Sequence, residues 1–169
     1  MELAVQLDNK AADQWLADFP AALRRGIERG LARATKLLER AVMAKAQTPL
    51  GAKSDAALGQ LARNVTSELY EEEGRAVGRV FLASPADRYG IFVEVGTRPH
   101  FPPPAALLGW VQRRLGVTND RQARQIAFLI GRKIARQGTR GRFFFEQALQ
   151  ENEGRVVAAL EEEIEKALP

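Results

Sequence analysis

Residues 89–104 read YGIFVEVGTRPHFPPP, and the fold turns on how this stretch is taken. Ile91, Val93 and Val95 alternate with Phe92 and Glu94, the period of a strand over residues 89–95. Gly96 allows a sharp turn, Thr97 can hydrogen-bond its backbone, and Arg98-Pro99-His100 projects as an arm stiffened by Pro102, Pro103 and Pro104. Immediately upstream, RNVTSELY (residues 63–70) and RAVGRVFLA (residues 75–83) also run with period two on either side of EEEG, with Ala76, Gly78, Val80 and Leu82 sharing a face. That pattern predicts an antiparallel hairpin, and the strand at 89–95 is expected to join it as a third.

Around these strands the period becomes helical. Over residues 21–47 the positions Leu23, Ile27, Leu31, Ala34, Leu38 and Val42 recur every three or four residues, which predicts a long amphipathic helix started by Asp18 and Pro20 and ended by Thr48-Pro49. Gly26 and Gly30 lie four apart on one face, where they would let another backbone come close. LGAKSDAALGQL (residues 50–61) reads as a small-residue loop. Pro104 opens a helix stopped by Gly116, and Thr118 or Asn119 caps a second one with Ile126, Leu129, Ile130 and Ile134 as its stripe. A terminal helix carries Phe145, Leu149, Val156, Leu160, Ile164 and Leu168, weakened at Gly154. The expected fold is a single α+β domain over residues 1–169. It has a small antiparallel sheet of three or four strands packed against long N- and C-terminal helices, with a helical pair inserted at 104–137.

Composition narrows the chemistry. The chain has 169 residues and no cysteine, which excludes disulfides, thiolate nucleophiles and cysteine-ligated zinc. His100 is its one histidine, so no histidine metal cluster forms within a chain, and neither metal nor cofactor is expected. The N-terminal residues lack a signal-peptide pattern, and no apolar run reaches the roughly 20 residues of a membrane span, which predicts a soluble intracellular product without membrane contact. Net charge is +4, unevenly placed: nine cations against Asp120 alone between residues 113 and 142, then a glutamate-rich C-terminal stretch. Such asymmetry suits nucleic-acid contact or complementary packing between subunits, and also the solvated faces of helices.

An acid/base pair of Glu94 and His100 would need a third group to orient the imidazole, and no nucleophile elbow, phosphate loop, dinucleotide fingerprint or metalloprotease helix accompanies it. The sequence therefore predicts no catalytic residues. Arg132, Lys133, Arg136, Arg140 and Arg142 can gather along one helix and the loop after it, as candidate contacts to a DNA backbone without base readout. Phe143, Phe144 and Phe145 cannot all face one core if helical, since successive side chains are about 100° apart. Phe144 is the ring expected to point outward as an interface anchor, because Phe145 continues the stripe to Leu149.

The elements AKAQTPLG, GQLARNVTSEL, YGIFVEVGT and RFFFEQALQ together resemble the small neck or tail-completion proteins of long-tailed bacteriophages, the group of the minor tail protein Z of phage lambda. The resemblance covers roughly residues 20–168, although this chain has two extra helices at 104–137 and lacks a proline before its last helix. It implies a virion structural protein, assembled in the host cytoplasm: a homo-oligomeric ring of sixfold symmetry at the head-to-tail junction. Its partners would be adjacent head-tail connector and tail-tube proteins and the phage DNA backbone in the channel. In that setting Tyr89, Glu94, Gly96, Thr97, Arg98, His100 and Phe144 are the candidate subunit-interface residues. The alternative is a basic accessory protein that binds nucleic acid without sequence preference; a hydrolase using Glu94 and His100 comes third.

Overall fold

The computed structural model of the chain describes residues 2–5, 21–47 and 56–168. In chain order the elements are β1 (Glu2–Val5), α1 (Ala21–Gln47), α2 (Ala56–Arg63), β2 (Val65–Glu72), β3 (Arg75–Leu82), α3 (Asp87–Val95), β4 (Gly96–Thr97), α4 (Pro104–Leu115), α5 (Asp120–Gln137), β5 (Thr139–Arg140) and α6 (Phe144–Glu165). The class is α+β. The described residues fall into two compact units, one built from 2–5, 21–47, 57–90 and 144–168, the other centred on 91–143.

In the first unit α1 and α6 pack antiparallel, and the two glycines explain how closely. A Cβ at Gly26 would lie 2.5 Å from Ala167 Cβ and 2.9 Å from Glu163 O, and one at Gly30 would lie 2.8 Å from Leu160 Cδ1 and 3.0 Å from Leu160 O. The glycine spacing thus does admit a second backbone. Leu31, Leu38 and Val42 of α1 and Val156 and Ala159 of α6 are buried along with them. Beside this seam Arg33 Nη1 donates to Glu162 at 2.6 Å and to Glu163 at 3.3 Å, and Lys166 Nζ donates to the same two carboxylates at 3.1 and 2.9 Å. Half-exposed pairs of this kind add little stability each.

β2 and β3 pair from Val65↔Leu82 to Glu72↔Arg75. Their two-residue turn has Glu73 at φ 50 and Gly74 at φ 79, the positive values that match a turn to the twist of a tight hairpin. Gly78, Val80 and Leu82 are buried, and a side chain at Gly78 would collide with the Thr35 hydroxyl of α1, so this glycine seats the helix on the sheet. The third strand is not the expected one. β1 takes the other edge of β3, from Glu2↔Phe81 to Val5↔Gly78, giving the order β1-β3-β2.

Residues 89–95 are helical instead, a correction with a visible cause. The buried positions are Ala86, Gly90 and Glu94, four apart, while Phe92 and Val95 are exposed. The helix starts through Gly90 N–H to Ala86 O at 2.8 Å, and Gly90 leaves room for Leu82 and Leu61. Two of these three buried residues are small, so alternation of the large ones misleads. A second correction is α2, over part of the stretch read as a loop: it buries Leu61 and Ala62, and Asn64 Nδ2 donates to Gln60 O at 2.7 Å at its end. The helix starts proposed at Asp18 and Pro20, and the stop at Thr48-Pro49, lie outside the described residues; α1 itself ends at Gln47.

In the second unit α4 and α5 form the expected helical pair. Gly116 ends α4 in the left-handed region at φ 67, Asn119 caps α5 by accepting from Gln122 N–H at 3.1 Å, and Gln112 donates to Asp120 at 2.9 Å across the turn. The contact between them is Val111 against Ala123 and Ala127, all fully buried. Small residues again set the packing, and Leu129, expected on the buried stripe, is exposed.

Two stability predictions follow from this packing. Gly30→Ala should destabilise the fold by about 1–3 kcal/mol through overpacking against Leu160. Gly154→Ala, in α6 with nothing within 4 Å of the new methyl, should stabilise it by roughly 0.5–1 kcal/mol. Urea denaturation of both variants checks the opposite signs. The second concerns acid. Burial raises the Glu39 carboxyl, but hydrogen bonds from Lys36 and Ser67 outweigh it and hold it below the usual range, as hydrogen bonds from Lys166 do for Glu162 and Glu163. Depressed carboxyls contribute stability that is present above the unfolded value of about 4.3 and lost as pH falls through the folded ones. The melting temperature should therefore hold from about pH 7 to 5 and fall below about pH 4. A Glu39→Gln, Glu163→Gln variant should show a smaller acid loss in the same scan.

Candidate interaction surface

The second unit is closed by a two-stranded clasp. β4 and β5 pair as Gly96↔Arg140 and Thr97↔Thr139, and the two threonines exchange bonds: Thr97 N–H to Thr139 Oγ1 at 3.0 Å and Thr139 N–H to Thr97 Oγ1 at 3.1 Å. Side chains are excluded at three places. A Cβ at Gly96 would strike Thr139 O, one at Gly138 would strike Thr97 O, and one at Gly141 would strike Glu94 O. The backbone also returns along the end of α3, with Arg142 N–H to Val93 O and Phe143 N–H to Glu94 O, both 2.9 Å.

The predicted interface residues fall in different environments. Glu94 is only 2 % exposed and Gly96 is buried in the clasp; Tyr89 and Thr97 are half-buried, and Arg98 and His100 are exposed. His100 does not present a free imidazole, since its Nδ1 lies 2.9 Å from Arg98 O. The segment after the clasp does not project as an arm either. His100 N–H donates to Ile134 O at 3.4 Å, and Phe101 lies over Gly131 with its ring edge toward Phe128 at 6.1 Å between centroids, so the chain is laid along α5.

Phe144 requires a correction. It is 1 % exposed and Phe145 is fully buried, their rings 5.0 Å apart, whereas Phe143 is 43 % exposed. One of the three does point outward, but it is Phe143, because α6 begins at Phe144 and Phe143 sits before it in the left-handed region at φ 51. A bulky side chain there is strained, and the strain coincides with an exposed aromatic ring.

Of the candidate cationic residues, Arg132, Lys133 and Arg136 are exposed on α5 and Arg140 is exposed on β5, while Arg142 is half-buried with its Nη1 out of solvent. Arg121, Gln125, Phe128, Leu129, Arg132 and Arg136 share one face of α5 by helical spacing. Sequence reading missed the apolar part of that face, Phe128 at 48 % and Leu129 at 59 % exposure, together with exposed Phe92, Phe101 and Trp110. The available signal was the run Ala123, Ala127, Gly131: a stripe of small residues four apart already supplied the buried face, leaving the large ones outside.

No protein-family model, curated protein or solved structure matches this chain. Among the described residues no group of three or more His, Asp or Glu side chains could hold a metal ion, and no helix is long and apolar enough to cross a membrane. A groove of about 610 Å³ between α1 and the hairpin is lined by Ile27, Leu31, Leu69 and Tyr70 among others, and neither Glu94 nor His100 belongs to it.

The two phenylalanines should separate cleanly. Phe144→Ala should cost about 3–5 kcal/mol of folding stability as a core truncation. Phe143→Gly should leave stability unchanged or raised, because glycine tolerates the positive φ. Thermal and urea denaturation of the two variants measure the contrast.

Proposed function

We propose that this chain is a structural virion subunit that builds a closed homo-oligomeric ring, of sixfold symmetry, at a bacteriophage head-to-tail junction. There it would meet the head-tail connector and tail-tube proteins around the DNA channel, after assembly in the host cytoplasm, and it would act without catalysis or cofactor. The observation that carries this reading is where apolar surface is left. Of the eleven large hydrophobic side chains exposed among the described residues, eight lie within 91–143: Phe92, Val95, Phe101, Trp110, Leu115, Phe128, Leu129 and Phe143. Exposed apolar surface concentrated in one unit and mixed with arginine is the composition of a protein–protein interface. The resemblance of YGIFVEVGT and RFFFEQALQ to the neck and tail-completion group supplies the kind of assembly. Those motifs supply Gly96 of the clasp and the start of α6.

A second reading is favoured by a separate observation. Arg132, Lys133, Arg136 and Arg140 have no carboxylate partner among the described residues, as contact with a nucleic-acid backbone would want. Native mass spectrometry and sedimentation separate the two. The ring reading expects a discrete multiple of the 18.7 kDa chain, and Phe143→Gly should shift it toward monomer without loss of folding. The accessory reading expects a monomer or dimer whose affinity for duplex DNA falls steeply between low and physiological salt.

A further inference from the structure

The exposed face of α5 has the layout of a docking site. Phe128 and Leu129 form its apolar middle, with Arg121 on one side and Arg132 and Arg136 on the other. None of these three arginines forms an ion pair among the described residues. A surface made only for phosphates would gain nothing from two large apolar side chains at its centre. An apolar centre with a charged rim is instead what a protein partner covers.

The chain carries a matching face elsewhere. On α6, Val157 is exposed, and Glu153, Glu161 and Glu165 occupy the same outer region of the helix. Although Glu151, Glu162 and Glu163 are consumed by Lys45, Arg33, Arg29 and Lys166, these three carboxylates have no partner among the described residues. The lengths agree as well: residues 121–136 span about 22 Å of helix and residues 153–165 about 18 Å. We infer that the α5 face of one copy receives the outer face of α6 of a second copy, Val157 meeting Phe128 and Leu129 while glutamates meet arginines. The contact joins unlike faces, so each copy has one donor and one receiver, and repetition generates a ring or an open chain. That it closes rests on the ring reading proposed above; the contact itself does not.

Reciprocal charge reversal tests it. Arg132→Glu with Arg136→Glu, and separately Glu161→Lys with Glu165→Lys, alter only exposed side chains and should leave circular dichroism and melting temperature near wild type. Each variant alone should sediment as the 18.7 kDa monomer, and a one-to-one mixture should regain the wild-type mass, because a sixfold ring closes with alternating copies. The absence of native cysteine gives a second measurement that does not depend on charge. Chains carrying Leu129→Cys and chains carrying Val157→Cys, mixed and treated with a short thiol cross-linker, should give a covalent dimer, and neither should do so alone. A monomeric wild type at all concentrations would remove the ring reading and this inference together. An oligomeric wild type whose reversal variants keep its mass and do not cross-link, or whose variants fail to complement, would overturn this inference alone. Unchanged mass with lost retention on duplex DNA in the Arg132→Glu, Arg136→Glu variant would assign the face to nucleic acid and overturn it too.

Discussion

The approach of α1 to α6 at Gly26 and Gly30 sets the geometry of the larger unit. With any side chain at these two positions the α6 backbone at Leu160 and Glu163 would have to move outward, and the packed seam of Leu31, Leu38, Val42, Val156 and Ala159 would open with it. Close packing leaves little slack for such a shift. The position of α1 is then transmitted to the sheet by the same device, Thr35 resting on Gly78 of the central strand. The ion pairs of Arg29 and Arg33 with Glu162 and Glu163 are consequences of this approach more than causes, being half-exposed and screened on at least one side.

The smaller unit repeats the principle with less material. Its helical pair has a core of Val111, Ala123 and Ala127 with partly buried leucines and isoleucines around it, too small to hold the ends of a fifty-residue segment by burial alone. The clasp contributes the missing constraint. Three glycines and the Thr97–Thr139 exchange bring the start and end of the segment into backbone contact. Since each such glycine adopts or permits what another residue could not, the clasp is encoded by absence of side chains.

That explains which parts of the fold were legible in the sequence. The long helices, the hairpin and the helical pair announce themselves through large apolar residues at regular spacing, and the role of Gly26 and Gly30 followed from their separation. At residues 89–95 and at Phe144 the sequence pattern misleads for one physical reason. In both places the buried positions are decided by small residues or by a backbone turn, Ala86-Gly90 in the first and the left-handed Phe143 in the second, whereas the spacing of the large side chains points the other way. A strand at residues 2–5 has too short a run to be distinguished by period. The charge asymmetry is visible in the sequence, but the division of the C-terminal glutamates into spent and unspent ones depends on where α1 lies.

The mixture of arginine and exposed apolar side chains on α5 also limits how copies can meet. An apolar strip such as Phe128 and Leu129 would by itself pair readily with the same strip on another copy, producing two-fold dimers. Arginines around it oppose that pairing, since two copies of one face would bring like charges together in a desolvating contact. A carboxylate-bearing apolar face suffers no such penalty. In the proposed assembly the cations would therefore favour unlike pairing and disfavour like pairing, and a single contact extends around an axis into a ring of more than two members only if it joins unlike faces.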